Sequence, residues 1–245
     1  MKSQISNQFI REIKLIKDNQ YDPAEYPYNI KSIKTLSNLI LHPKVTFIIG
    51  ENGSGKSTLL EAVAVAYGFN PEGGSKNFNF ETNPSHSILY ENIKLIKGVL
   101  KPKTGYFFRA ESFYNVASEI DKIGSNILAV YGGKSLHQQS HGESFLSLFM
   151  NRFVGNGIYI LDEPEAALSP ERQMAFLANL HNLAKDNCQF IIATHSPIIM
   201  AYPDAVIYNV DDNYEKIDYK YTSHYNTTKE FLNNTDRMLN ILMNE

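Results

Sequence analysis

The sequence contains a single cysteine, Cys188, among 245 residues. That excludes a disulfide framework and a cysteine-based zinc site, and it agrees with a reducing compartment. An excess of either charge is also missing: 23 Lys and Arg stand against 26 Asp and Glu, for a formal net charge of -3. The chain as a whole exerts no bulk pull on nucleic acid or on an acidic membrane, so such a partner needs a local basic patch. No apolar run reaches the ~18 residues needed to cross a bilayer. The best window, Phe190 to Tyr202, is broken by Thr194, His195, Ser196 and Pro197. Met1 to Arg11 lacks the apolar core of a signal peptide, so a cytoplasmic protein with no direct membrane insertion is expected. Internal repeats and low-complexity blocks are absent too. What is present is 43% hydrophobic residues with 14 Gly and 10 Pro, too apolar for a disordered chain. At ~150 residues per domain the length allows one or two domains. No interior linker divides it, so residues 1–245 read as one domain: N-terminal strands and loop over 1–43, a core over 44–203 and a small C-terminal extension over 204–245.

Periodicity supplies the elements. Ile5 to Ile16 alternates as an edge strand, and Tyr21 to Tyr28, with Pro23 and Pro27, reads as a loop. Val45 to Ile49 is a β-branched run ending at Gly50, and Ser57 to Tyr67, rich in Leu and Ala, is helical. Gly68 to Pro84 reads as an extended loop, Ile88 to Leu100 as a helix and Tyr106 to Phe108 as a strand. Gly142 opens a helix running to about Phe153, and Ile158 to Leu161 is a buried strand. Ser169 caps a helix over Glu171 to Ala184 with Pro170 in its first turn, and Phe190 to Ala193 is the next buried strand. Short strands near Val206 to Tyr208 and Lys216 to Tyr219 lead to a helix from about Thr228. Tyr202, Tyr208, Tyr214, Tyr219, Tyr221 and Tyr225 crowd this end as packing residues. Strands alternating with helices predict an α/β fold, a mainly parallel sheet covered on both faces, with an antiparallel N-terminal edge.

Two motifs carry chemistry. Gly50-Glu51-Asn52-Gly53-Ser54-Gly55-Lys56-Ser57 satisfies G-x-x-x-x-G-K-[ST] between a strand and a helix. Its glycines let backbone N–H groups wrap phosphates, and the helix N-terminus adds a favourable dipole. Lys56 would reach the β and γ phosphates, Ser57 would hold Mg²⁺ and Thr58 the α phosphate, so ATP with Mg²⁺ is the expected cofactor pair. The apolar strand Ile158-Tyr159-Ile160-Leu161 ends in Asp162 and Glu163. Buried strands do not end in adjacent carboxylates without a use for them, since unpaired buried charge is costly. Asp162 fits the Mg²⁺ shell and Glu163 the polarisation of an attacking water.

From about residue 44 to residue 200 the chain resembles the ABC-type ATPases. Gln139-Ser140-His141-Gly142-Glu143 is similar to their Leu-Ser-Gly-Gly-Gln signature, with His141 in place of a glycine and Glu143 at the Gln position, as in SMC-type proteins. A polar turn capping a helix makes a second anion site, and the resemblance implies that Ser140, Gly142 and Glu143 serve the nucleotide of another subunit. Glu165-Ala166-Ala167-Leu168-Ser169 resembles the D-loop, and Ala193-Thr194-His195-Ser196-Pro197 the switch histidine, whose imidazole would contact the γ phosphate. The wording of these stretches looks more like soluble ATPases grouped under the AAA label than transporter subunits, and is similar to the RecF, OLD and Rad50-like branch. The resemblance therefore implies a head-to-tail homodimer closing on two Mg·ATP, with Glu163, His195 and Lys56 catalytic. An ATP-binding subunit of a transporter, or a non-hydrolysing ATP-gated scaffold in repair or defence, are the alternatives.

The sequence departs from the family after the strand near Tyr106, where Arg109-Ala110-Glu111 replaces the Q-loop glutamine. A cation is a poor Mg²⁺ ligand, so Glu111 is the candidate metal contact and Arg109 meets phosphate or Glu163. Tyr26 or Tyr28 stands where transporter ATPases place an adenine-stacking aromatic. No long heptad segment separates the P-loop from the signature, so coiled-coil arms are excluded. Finally, Asn92 to Ala110 carries Lys94, Lys97, Lys101 and Lys103 without an acid, a candidate surface for a protein partner or nucleic acid.

Overall fold

The structure, a computed structural model, describes residues 8–17, 21–76, 87–113, 115–116, 118 and 141–243. Nine strands form two sheets among these residues. The larger sheet contains β3 (Val45–Ile49), β5 (Thr104–Arg109), β6 (Gly157–Asp162), β7 (Gln189–Ala193), β8 (Ala205–Asn209) and β9 (Glu215–Lys216) in the order β5-β6-β7-β3-β8-β9. All its pairings are parallel except β8 with β9. The smaller sheet, of β1 (Ile10–Leu15), β2 (Asn38–Ile40) and β4 (Ile93–Lys97), is antiparallel with β1 in the middle.

Burial on both faces explains why β3, β6 and β7 read as unbroken apolar runs; every residue of all three is buried. On one face Phe47, Phe108, Tyr159 and Phe190 pack under α3 (His141–Arg152) and α4 (Pro170–Lys185), which contribute Phe145, Phe149, Phe176 and Leu180. The rings interlock there, with Phe149 and Phe176 centroids 4.5 Å apart and Phe153 stacked on Tyr159 at 4.1 Å. On the other face Ile48, Phe107, Ile160 and Ile191 meet Leu59, Leu60 and Val63 of α2 (Lys56–Tyr67), and the small sheet closes over them with Ile10, Ile13 and Leu39. The fold is thus the expected α/β arrangement with an antiparallel N-terminal edge.

Several elements differ from the sequence reading. Ile88 to Leu100 is no helix: a 3-10 turn over Ile88–Asn92, capped by Ser87, gives way to β4. Its apolar residues satisfy a short helical spacing as well as an alternating one, and the ladder with β1 selects the strand. The strand near the N-terminus is Ile10–Leu15 and central rather than an edge, because β2 and β4 flank it; alternation alone does not distinguish the two. Tyr219 lies in a 3-10 turn, not in β9. The last helix begins earlier than Thr228, as α6 (Ser223–Asn233), because the Thr222 hydroxyl accepts from Tyr225 N–H and caps it; α7 (Thr235–Met243) follows. Tyr202, Tyr208 and Tyr214 are buried as packing residues, whereas Tyr221 is exposed. The part of Gly68 to Pro84 beyond residue 76 falls outside the described residues.

One fully buried polar side chain joins the two sheets. Gln189 at the start of β7 accepts from Phe9 and Ile10 N–H and donates to Ile10 and His42 carbonyls, at 2.8 to 3.1 Å. Each unmade bond there leaves a buried backbone group without a partner, at a cost of about 1–3 kcal/mol. Gln189→Leu is expected to lower stability in urea denaturation by about 2 kcal/mol or more; a loss below about 0.5 kcal/mol would mean that apolar contact alone holds the small sheet.

Candidate functional site

The site is built at the carboxyl ends of β3, β6 and β7. Their register aligns Ile48 with Ala193, Ala193 with Asp162, and Asp162 with Arg109. The residues just beyond that row, Ile49, Glu163 and Thr194, therefore stand side by side, and Gly50 follows Ile49 out of the sheet. The turn after β3 runs into the first turn of α2. Gly55, at its end, has φ +95°, and an added Cβ would lie 2.6 Å from Ile30 Cγ2 and Ser32 Oγ. Glycine is required there by conformation and by space. Across that contact the Ser32 hydroxyl donates to the Ser54 carbonyl, pinning the loop to α1 (Lys31–Thr35).

Lys56 is buried and folds back over the loop, its Nζ donating to the Gly50 and Glu51 carbonyls at 3.0 and 2.8 Å. Burial lowers its pKa, and the nearby Glu163, Asp162, Asp211 and Glu165 charges oppose that shift. In front of it opens a cavity of about 580 Å³ lined by Asn52, Gly53, Lys56, Ser57, Glu111 and Glu163, with Tyr26 at its rim. The Ser57 hydroxyl donates to Asp162 Oδ1 at 3.1 Å. Desolvation pushes the Asp162 pKa up to about 7 against the pull of Ser57 and Arg109, so in this arrangement the carboxylate lacks a full counter-charge.

Glu163 leaves the strand in the left-handed region, at φ 50° and ψ 54°. This conformation is costly for a residue with a Cβ and turns the carboxylate out of the sheet. It is the half-exposed member of the acid pair, 3.6 Å from His195 Nε2. His195 is fixed from three sides. Its backbone N–H donates to buried Glu165 Oε1, its Nε2 faces Glu163, and its Nδ1 lies 3.1 Å from His224 Nε2 of α6. Desolvation lowers the pKa of both imidazoles, and the charge of Lys56 adds to it.

Ser57 and Asp162 offer hard oxygen donors in contact with each other, and Glu111 lines the same cavity. Among the described residues no group of three His, Cys, Asp or Glu forms a protein-only metal cage. Such a set suits Mg²⁺, which takes one or two protein oxygens and completes its shell with phosphate oxygens and water.

The structure thus brings together Gly50 to Thr58, Asp162, Glu163 and His195. Glu111 reaches the cavity; Arg109 does not line it. Its guanidinium bonds to Glu61 of α2, and at 3.1 Å to Glu111, rather than to Glu163. Burial pulls the Arg109 pKa down, and the Glu61, Asp162 and Glu111 charges more than offset it, for a net rise. Of the two tyrosines, Tyr28 is buried and donates to Asn92, leaving Tyr26 at the cavity. Ser140 lies outside the described residues, Gly142 lies in the first turn of α3, and Glu143 pairs with Arg172 at 3.2 Å. Sequence reasoning missed three participants: Glu61, Asp211, which accepts from Glu51 N–H at 2.7 Å, and His224. Glu61, an acid on an otherwise buried helix face, was the one with a local signal.

Comparison with known proteins shows likenesses of sequence and of fold. The AAA ATPase domain family profile matches residues 135–200. The zinc import ATP-binding protein ZnuC of Wigglesworthia glossinidia brevipalpis is 27% identical over 195 residues, covering 72% of this chain and 75% of ZnuC. The energy-coupling factor transporter ATP-binding protein EcfA1 of Fusobacterium nucleatum is 28% identical over 221 residues, covering 82% and 83%. The structure of cbiO1 from Clostridium perfringens superposes with a TM-score of 0.50 at 20% identity, over 92% of this chain and 95% of that one, a likeness of fold. In its fold and in the order of its motifs the chain is similar to the ABC-type P-loop ATPases. No helix among the described residues is long and apolar enough to cross a membrane.

The histidine pair yields a prediction. Because Nε2 of His195 faces a carboxylate, the proton belongs on Nε2, which makes Nδ1 the acceptor and His224 Nε2–H the donor. Nitrogen-15 NMR is expected to report the Nε2–H tautomer for His195 at pH 7, and a mixture of tautomers in His224→Ala. Both imidazoles should titrate below the usual 6.5. A depressed folded-state pKa means that their contribution to stability is complete above 6.5 and declines as pH falls below it. A His195 midpoint above 6.5 would contradict the arrangement.

Proposed function

We propose that the chain binds Mg·ATP at this cavity and hydrolyses it as an ATP-switched head-to-tail homodimer. The observation carrying this reading is the convergence of Lys56, the Ser57–Asp162 contact and the Glu163–His195 pair on one cavity. On nucleotide entry Lys56 exchanges the Gly50 and Glu51 carbonyls for the β and γ phosphates, and Thr58 N–H and Oγ stand beside the α phosphate. Ser57 and Asp162 would hold Mg²⁺, with Glu111 as a water-mediated contact, and the ion would supply neutralising charge beside the phosphates. Glu163 orients the attacking water and takes its proton. His195, kept neutral with Nε2–H outward, donates to the γ-phosphate oxygen as charge develops there. Arg109, held by Glu61 and Glu111, fixes the position of Glu111.

A P-loop encloses one side of the γ phosphate only. Ser140, Gly142 and Glu143 of a second chain would supply the other side, which makes ATP the adhesive of the dimer and hydrolysis its release. A second reading, an ATP-binding subunit of a transporter, draws on the names of the relatives ZnuC and EcfA1. It requires a membrane partner binding near Glu111, and detergent-extracted pull-down from native membranes distinguishes the two.

Glu163→Gln is expected to keep ATP affinity within about twofold and to reduce turnover by about 10²-fold or more, while Lys56→Ala loses nucleotide binding at the P-loop cavity. Turnover near wild type in purified Glu163→Gln would remove the assignment. Mixing inactive Lys56→Ala with inactive Gly142→Asp should restore part of the ATPase, because a mixed dimer retains one intact composite site. A mixture that stays inactive, with Glu163→Gln monomeric in ATP by gel filtration, would refute the shared site.

A further inference from the structure

At the far end of the molecule from the P-loop lies a second cavity, of about 460 Å³. It is bordered by Lys76, Lys97, Lys101, Lys103 and Arg152, and no acid is among its lining residues. Thr104 and Gly105 at its floor begin β5, whose other end is Arg109; six residues of strand put about 17 Å between them. The cavity is therefore separate from the nucleotide site.

The lysine cluster that the sequence suggested is rearranged here. Lys94 and Lys97 are three apart on a strand, so their side chains take opposite faces of β4. Lys97 turns inward, its Nζ 5.0 Å from the Tyr67 ring, and Lys94 is left on the outer face opposite Lys14. Lys76 and Arg152, remote in sequence, take its place. The Lys76 ammonium sits 3.9 Å above the same Tyr67 ring. Two ammonium groups thus share one aromatic ring, and none of the five cations is ion-paired to an acid among the described residues. The guanidinium of Arg152 is aimed by Thr104, whose hydroxyl accepts its Nη1–H at 3.2 Å. Desolvation, and then the charge of Lys97, lower the Lys76 pKa.

Like charges gathered without counter-ions repel one another, and a folded chain of slightly negative net charge has no general need for them. The C-terminal ends of α2 and α3 border the cavity and offset part of the charge, but about half a unit each does not neutralise five cations. An anion does. We propose that this cavity binds a compact polyphosphate, a small molecule with two or more adjacent phosphate groups such as a nucleoside polyphosphate or inorganic polyphosphate. Cations converging on a concave site match a compact, highly charged ligand. A nucleic-acid backbone needs them spread along a track with exposed rings for stacking, and Tyr67 is buried beneath Lys76. Ser75 and Thr104 hydroxyls supply neutral donors beside the charges.

The test is calorimetric titration of the Lys56→Ala chain, in which the P-loop is disabled, with inorganic tripolyphosphate and with guanosine tetraphosphate at about 0.15 M salt. One equivalent is expected to bind, with affinity at least about tenfold weaker after Lys76→Ala/Arg152→Ala and falling as salt rises. Tighter binding of the guanosine compound than of tripolyphosphate identifies a nucleotide as the source; equal affinity identifies the phosphate chain alone. ATP turnover in the Lys76→Ala/Arg152→Ala chain with Lys56 intact should match wild type, which keeps this result independent of the nucleotide site. If that double substitution does not fold, Lys97→Ala/Lys101→Ala serves in its place. Absence of saturation by about 1 mM, or affinity unchanged by both pairs of substitutions, overturns the proposal. So does a 20-base-pair duplex that binds through these residues and is not displaced by tripolyphosphate, since the surface would then be a nucleic-acid contact.

Discussion

Register across four parallel strands governs everything that follows at the nucleotide end. Arg109, Asp162, Ala193 and Ile48 stand in one row, and parallel pairing fixes which residue comes next on each strand. A one-residue slip of β6 would turn Asp162 to the opposite face and carry it away from Ser57. Slippage is resisted because both faces of β6 and β7 are buried, so a slip would exchange two sets of packed side chains at once. The interlocked rings of Phe149, Phe153, Tyr159 and Phe176 on one face, and the aliphatic layer with α2 on the other, therefore do more than stabilise the sheet. They hold a carboxylate and a histidine, Glu163 and His195, 32 residues apart in sequence, within 3.6 Å of each other.

That placement is electrostatically expensive in the absence of ligands, and the molecule distributes the cost unevenly. Asp162 is almost wholly buried, which pushes its pKa up to about 7, and among the described residues only Ser57 is a close side-chain hydrogen-bond donor to it. Arg109 lies on the next strand in the same row but is claimed by Glu61 and Glu111. Glu61 in turn accepts from the Ser87 backbone at 2.9 Å. The cation thus balances the acids around it without neutralising Asp162, and the carboxylate keeps its appetite for a divalent ion. Lys56 is in the mirror situation: buried, pulled toward neutrality, and held charged by the acids around the cavity. The Mg²⁺-bound phosphate chain of the proposed function would satisfy both groups at once.

The parts of this design written in short, contiguous segments were legible in the sequence. The P-loop glycines, Lys56 and Ser57 lie within one turn between a strand and a helix, and Asp162-Glu163 at the end of an apolar run announces itself by violating the rule against buried charge. Features that depend on distant pairing were not. Ile93 to Lys97 could not be told from a helix until β1 was seen beside it, and the same strand pairing split Lys94 from Lys97. Lys76 and Arg152 join the basic cavity from positions about 20 to 55 residues away along the chain. His224 has no local mark at all: it is a polar residue on a helix of mixed character, and only the docking of α6 against the end of β7 makes it a neighbour of His195.

The C-terminal segment is therefore tied into the site at two points rather than appended to it. Val210 N–H donates to the Ile49 carbonyl at 2.9 Å, extending the β3–β8 ladder to the edge of the P-loop, and Asp211 then takes the Glu51 N–H. An added Cβ at Gly50 would lie 2.6 Å from Val210 Cγ2, so the loop and this segment are in direct van der Waals opposition. Further on, His224 meets His195. A rearrangement of the loop that frees the Glu51 carbonyl from Lys56 must pass through the Glu51–Asp211 bond, and any swing of the His195 ring must break or carry the His224 contact. The chain from Val210 to His224 thus joins the Glu51–Asp211 contact to the His195–His224 contact as one continuous segment.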